Sequence, residues 1–242
     1  MSPESPTGST VTRVIGTAAL ISMALLLCAA FWWSEPDDQQ GEAVRLFYLH
    51  VPVAILEYVA FVIAGIGSVM YLWKRSTFGD LMAHAAAEVG VVFCGLTLVT
   101  GSLWGRPTWG TYWDWGDVRL VTTLVLFLMY VGYLALRQVP GDPHTRSRQA
   151  AVVALVALVN IPIVNRSVEW WANRTLHQKS TLIEGKIEDI NAFATFLGFL
   201  TFTLVLVWLV IHRFRVAWFE REVDRHGLQR ALDERRAEGI EV

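Results

Sequence analysis

A chain of 242 residues that is 54% hydrophobic and 17% charged, with a formal net charge of −2 and a mean hydropathy of +0.41, is not composed like a soluble domain, in which about a quarter of residues carry charge. It reads as an all-α integral membrane protein, since only helices and closed barrels satisfy every backbone polar group in lipid. The chain holds no nucleotide-binding glycine loop, no paired nucleophile and base, and no basic footprint for nucleic acid.

Six apolar runs are long enough to cross the hydrocarbon, which takes roughly 20 residues of helix: Val14–Trp33, Val44–Trp73, Leu81–Trp104, Val118–Leu136, Ala150–Val168 and Ile190–Ile211. The expected architecture is a single domain, a bundle of six transmembrane helices with an external tryptophan-rich loop over residues 104–119 and a charged tail over 213–242. The first run is too long for a signal-peptide core and lacks a small-x-small cleavage site. Cys28 and Cys94 fall inside spans and read as buried packing residues rather than a disulfide.

Six spans put both termini on one side. Of the 20 lysines and arginines, thirteen fall with the termini. Seven lie opposite: Arg45, Arg106, Arg119, Arg166, Arg174, Lys179 and Lys186. The positive-inside rule then places the termini in the cytoplasm. The tail beyond Arg213 reads as a solvated helix, with Gly227 and Gly239 as expected interruptions.

The stretch WGRPTWGTYWDWGDVR, Trp104 to Arg119, carries Trp104, Trp109, Trp113, Trp115, Tyr112, two aspartates and two arginines in sixteen residues. An interfacial belt explains Trp32, Trp33, Trp73, Trp208 and Trp218, but not four tryptophans so close together. Trp109 and Trp113, at i and i+4, fit one face of a short interfacial helix, itself a stacking platform. Asp114 and Asp117 read as hydrogen-bond acceptors.

The topology sorts the histidines. His84, His144, His212 and His226 fall toward the termini, and only His50 and His177 face outward. His50 precedes Pro52, which is expected in a first helical turn, where a missing N–H costs nothing. His177 follows the pair Trp170 and Trp171. Two readings stand: a pair of axial ligands to heme iron, with the tryptophans beneath the porphyrin and Arg119, Arg106 or Arg45 at its propionates, or separate interfacial hydrogen-bonding residues. Glu57, two turns below His50 on the same face, is either functional or a packing carboxyl. Ala60, Ala64 and Gly67 continue that face and permit close helix approach. His84 and Glu88 read as a local polar pair.

Three stretches, RLFYLHVP (Arg45–Pro52), WGRPTWGTYWDWGDVRL (Trp104–Leu120) and SVEWWANRTLHQKS (Ser167–Ser180), together resemble the heme-handling proteins with a tryptophan-rich WWD domain, most closely the cytochrome c maturation protein C type. The resemblance covers nearly the whole chain. It implies that heme b, as transported ligand, is bound at the outer face of a bacterial cytoplasmic membrane, with His50 and His177 as iron ligands. The cofactor contacts it implies are Trp104, Trp109, Trp113, Trp115, Asp117, Arg119 and Arg45, beside Trp170 and Trp171. Partners implied are a membrane-anchored periplasmic heme chaperone, the membrane and ATPase subunits of an ABC transporter, and a small single-span accessory protein. The family's W-W-x-W-D-x-R pattern is altered here: Tyr112 stands for the first tryptophan and Gly116 intervenes, so Asp114 and Asp117 both compete for the family aspartate. The role implied is binding and delivery rather than catalysis. A heme lyase of the cytochrome c synthase type would carry two further histidines within the membrane, and a b-type cytochrome would set its histidine pairs on facing helices.

Overall fold

The computed structural model describes residues 8–37, 40–177 and 189–237; Gly239, Lys179 and Lys186 lie outside them. Helix α1 (Thr10–Cys28) is capped by Ser9, whose side chain accepts from the Thr12 N–H, and continues as a π-helical turn, Ala29–Trp33. There follow α2 (Val44–Lys74), α3 (Thr77–Trp109), α4 (Val118–Arg137), α5 (Pro143–Leu158), α6 (Asn160–Trp170) and α7 (Asp189–Ala237). Among the described residues six helical segments are long and apolar enough to cross a membrane, α5 and α6 together making the fifth. The chain is a multi-pass membrane protein.

Helices α2 and α3 form the central hairpin. Their connection is tight: Arg75 ends α2 in the left-handed region at φ 52°, and Ser76 caps α3 by accepting from the Gly79 N–H. The small face expected along α2 is used, with Ala60 and Ala64 fully buried and Gly67 against the backbone of Gly79. One apolar core lies between this hairpin and α1 with α7, around Tyr48, Leu56, Phe93 and Phe202. A second lies between the hairpin and α4 with α5, where Phe61 and Tyr130 stack at 3.7 Å between centroids.

The end of the bundle that carries the termini is tied by ion pairs. Arg137 of α4 makes two hydrogen bonds to Asp80 of α3, at 2.8 and 3.1 Å, and Ser147 of α5 donates to the same side chain at 3.0 Å. Arg213 of α7 grips both oxygens of Glu88 at 2.7 Å. His84 therefore shares Glu88, from 3.6 Å, with a stronger partner, and the expected local pair is one edge of a larger cluster. Arg215 reaches back to Ser9 and Thr12, which sets the start of α1 beside α7.

Three local expectations are corrected. Pro52 is not in a first turn; α2 begins at Val44, so Pro52 sits in the helix interior and leaves the Tyr48 carbonyl without its usual i+4 donor. Gly198 of α7 meets that site: a Cβ there would collide with the Tyr48 oxygen and lie 3.0 Å from Pro52 Cγ, so only glycine lets α7 close over the exposed carbonyl. The fifth span is broken in two after Leu158. Pro162 cannot donate to that residue's carbonyl, and Asn160 turns its amide to the Thr122 carbonyl of α4 at 2.8 Å. Gly227 does not interrupt α7, which runs through it to Ala237; an isolated glycine costs a helix only about 1 kcal/mol.

Candidate functional site

The tryptophan-rich stretch is half helix. Residues 104–109 complete α3, which stops at Gly110 in the left-handed region at φ 78°, with Arg106 donating to the Gly110 carbonyl and lying over the Tyr112 ring. Trp109 and Trp113 accordingly do not share a helical face. The chain then turns through Thr111, which donates to the Trp113 carbonyl and receives its N–H, and through Asp114, which accepts from the Gly116 N–H. It enters α4 at Asp117.

Asp117 separates itself from Asp114 here. It is 1% exposed, caps α4 by accepting from the Leu120 N–H at 3.0 Å, and accepts the Leu176 N–H at 2.6 Å. Asp114 stays exposed and, among the described residues, bonds within its own turn. Asp117 thus fastens the segment bearing His177 to the head of α4, with Thr175 donating weakly to it at 3.5 Å.

His50 is buried in α2, 7% exposed, between α3 and the side of Trp104, whose ring lies 5.6 Å away edge-on. Its Nδ1 is 2.9 Å from Thr100 Oγ1. That hydroxyl gives its single hydrogen to the Leu96 carbonyl at 2.6 Å, so toward His50 it can only accept. The imidazole therefore carries a proton on Nδ1, and in the neutral ring Nε2 is the nitrogen left with a lone pair. Gly101 makes room for the ring, since a Cβ there would stand 3.0 Å from His50 Cε1. Trp104 is fixed in turn by its Nε1–H, donated to Gln40 at 2.8 Å, and by edge contact with Phe47.

His177 packs against Trp109, centroids 4.7 Å apart. Its backbone N–H is held by Thr175 Oγ1 at 3.2 Å, while its Nδ1 is shut off from solvent and has no partner among the described residues. Burial, then the nearby Arg119 and His50, pulls its pKa down to about 3, so the ring is neutral at physiological pH. The side chains of His50, His177 and Arg119 lie within electrostatic reach of one another at the end of the bundle away from the termini.

The arginines divide. Arg45 is occupied, pairing with Glu42 at 2.6 Å, donating to the Phe31 carbonyl and lying over the Phe31 ring. Arg106 serves the α3 terminus. The Arg119 side chain, half-buried, makes no hydrogen bond or ion pair among the described residues, while its backbone carbonyl accepts from Thr122 and Thr123. Trp113 and Trp115 meet edge to face at 5.5 Å; Trp115 is 75% exposed, and Trp113 has a buried Nε1 without a partner among the described residues. Trp170 and Trp171 touch each other at the end of α6 and are both exposed.

Glu57 is fully buried two turns below His50, beside Cys94 and Thr97, and neither of its oxygens meets hydrogen-bond geometry. Both cysteines are free thiols. Sequence reasoning did not find Thr100, Gly101 or Gln40.

These residues suit an iron porphyrin. A fixed imidazole lone pair, a second neutral imidazole, an unpaired guanidinium and exposed indole rings are the donor set that iron, propionate and ring require.

A family model described as Heme exporter protein C matches residues 5–229. Among curated proteins, the Heme exporter protein C of Bradyrhizobium diazoefficiens is 42% identical over 216 residues, 87% of this chain and 81% of the relative. That of Escherichia coli is 36% identical over 200 residues, 81% and 80% of the two chains. That of Haemophilus influenzae is 33% identical over 218 residues, 86% and 85%.

Proposed function

Because the chain belongs to the heme exporter protein C family, we propose that it binds heme b as cargo at the outer face of the bacterial cytoplasmic membrane and delivers it during cytochrome c biogenesis. Both termini lie in the cytoplasm on this reading. The acceptor is a periplasmic, membrane-anchored heme chaperone, and the protein works with the membrane and ATPase subunits of an ABC transporter and a small single-span accessory protein. It is a binding and delivery module rather than an enzyme.

His50 and His177 hold the iron, each through a neutral ring nitrogen. Trp113 and Trp115 offer flat apolar surface to the porphyrin; Trp104 and Trp109 act one layer back, steadying His50 and His177. Trp170 and Trp171 extend the exposed aromatic surface. Arg119 meets a propionate, and Arg45, engaged by Glu42, does so only by exchanging that partner. Asp117 fills the family aspartate's part by positioning the His177 segment. The observation that carries this reading is that His50 and His177, from separate stretches, lie within electrostatic reach of one another and of Arg119, whose side chain has no hydrogen-bond or ion-pair partner among the described residues.

The test is absorption spectroscopy of the detergent-purified protein and of His50→Ala and His177→Ala. Both variants lose heme or its low-spin spectrum; heme co-purifying undiminished with both would refute axial ligation. Arg119→Ala weakens retention, whereas Arg225→Ala, an exposed residue paired only with Glu222, does not.

A further inference from the structure

His50 and His177 are both imidazoles, but they are built into the protein in opposite ways. His50 belongs to a long transmembrane helix, is buried, and has every element of its geometry fixed. Thr100 accepts its Nδ1–H at 2.9 Å, Leu96 fixes the Thr100 hydroxyl at 2.6 Å, and Gly101 and Trp104 bound the ring. Metal-bound histidines that donate their second ring N–H to an oxygen are oriented by it and made more basic toward the metal. His177 shares only the aromatic wall, its ring 4.7 Å from that of Trp109. It stands outside any helix, on a segment held by the backbone bonds to Asp117 and Thr175, and its buried Nδ1 has no partner among the described residues.

Resting on the heme-binding reading above, we propose that the two ligands are inequivalent. His50, set by Thr100 as its positioning residue, is the anchored ligand that keeps the iron during transfer; His177 is the exchangeable ligand, replaced at hand-off by a neutral donor from the acceptor. The step is a ligand substitution. The iron–nitrogen bond to His177 breaks, a bond to the incoming donor forms, and neither an electron nor a proton changes place. His177 leaves as the neutral imidazole it already is, and departure requires the opening of a short segment rather than the displacement of a transmembrane helix. Heme therefore passes to its acceptor from the His177 side, with the His50 bond the last to break.

Two measurements test this, one without heme. In the heme-free protein labelled with ¹⁵N-histidine, His50, assigned by the signal lost in His50→Gln, shows a protonated Nδ1 and an unprotonated Nε2. Thr100→Val gives a mixture of tautomers and Thr100→Ser restores the single one. With heme, Thr100→Val lowers affinity about 10–100-fold, as loss of an outer-shell partner does, and Thr100→Ser recovers it. For the asymmetry, glycine is placed at each histidine and free imidazole is added as the probe donor. His177→Gly retains heme and regains the low-spin spectrum with imidazole; His50→Gly does not retain it under the same conditions.

Equal rescue of the two glycine variants, or rescue of His50→Gly alone, overturns the assignment of anchored and exchangeable ligands. A single His50 tautomer in Thr100→Val overturns the role of Thr100. Wild-type protein that binds heme without a bis-histidine spectrum overturns the underlying reading instead, so the two failures are distinguishable.

Discussion

Replacing Asp117 by alanine releases the His177 segment while leaving every transmembrane contact in place. Two backbone donors lose their acceptor. The Leu120 N–H loses a helix cap, worth about 0.5–2 kcal/mol. The Leu176 N–H loses a 2.6 Å bond, for which about 1 kcal/mol is appropriate because that residue is partly solvated. The longer Thr175 contact adds little. The cap is lost whether residues 175–177 are open or closed, so the Leu176 bond alone sets their opening: about 1 kcal/mol, or roughly a 5-fold rise in the open population. Amide hydrogen exchange in nanodiscs reads this directly: Leu120 and Leu176 lose protection in Asp117→Ala, and Asp117→Asn, which keeps one acceptor oxygen, falls between it and wild type. The heme-loaded variant shifts from low-spin toward high-spin absorption in the same order. If exchange at Leu176 is unchanged in Asp117→Ala, the side chain does not hold the segment and its proposed part in the site fails with it.

Three further perturbations follow from the geometry. Gly198→Ala forces a methyl group onto the Tyr48 carbonyl; overpacking of this kind costs about 1–3 kcal/mol, so the thermal unfolding midpoint in detergent falls, and an unchanged midpoint would mean α7 is not seated there. Asp80→Ala strands Arg137, whose side chain is 11% exposed, and breaking such a pair costs about 3–5 kcal/mol. Its midpoint falls further than that of Glu222→Ala, which leaves only the exposed Arg225 and His226 without a partner. For pH, His177 titrates at about 3 when folded and near 6.5 when unfolded. Between these values the native state binds fewer protons, so its contribution is complete above pH 6.5 and is lost as pH falls, by at most about 1.4 kcal/mol per unit. Lowering the pH from 7 to 5 lowers the unfolding midpoint of the wild type more than that of His177→Gln; equal falls would place the imidazole in water.

What was legible in the sequence follows from the range of each interaction. The six apolar segments are local properties, and hydropathy finds them. The sorting of His50 and His177 to one end is also legible, because helix parity alone decides it. Contacts across the chain are not: nothing near His50 announces that its Nδ1–H meets Thr100, fifty residues on, and nothing in the Trp115–Gly116–Asp117 turn announces that Asp117 receives an N–H from Leu176. The division of Arg45 from Arg119 was within reach, since Glu42 stands three residues before Arg45, at the spacing of a helical ion pair. Pro52 was misread for want of the helix start; without knowing that α2 begins at Val44, an N-terminal proline and an interior one look the same.

The central hairpin also gives the site an order of birth. His50, Thr100, Gly101, Trp104 and Trp109 all belong to α2 and α3, which Arg75 and Ser76 alone connect, so this half is complete once the third span has left the ribosome. His177 is made about seventy residues afterwards, roughly 4–15 s later at ordinary rates of synthesis. On the proposed reading, a nascent chain paused between the two already carries His50 with the residues that position it and lacks His177.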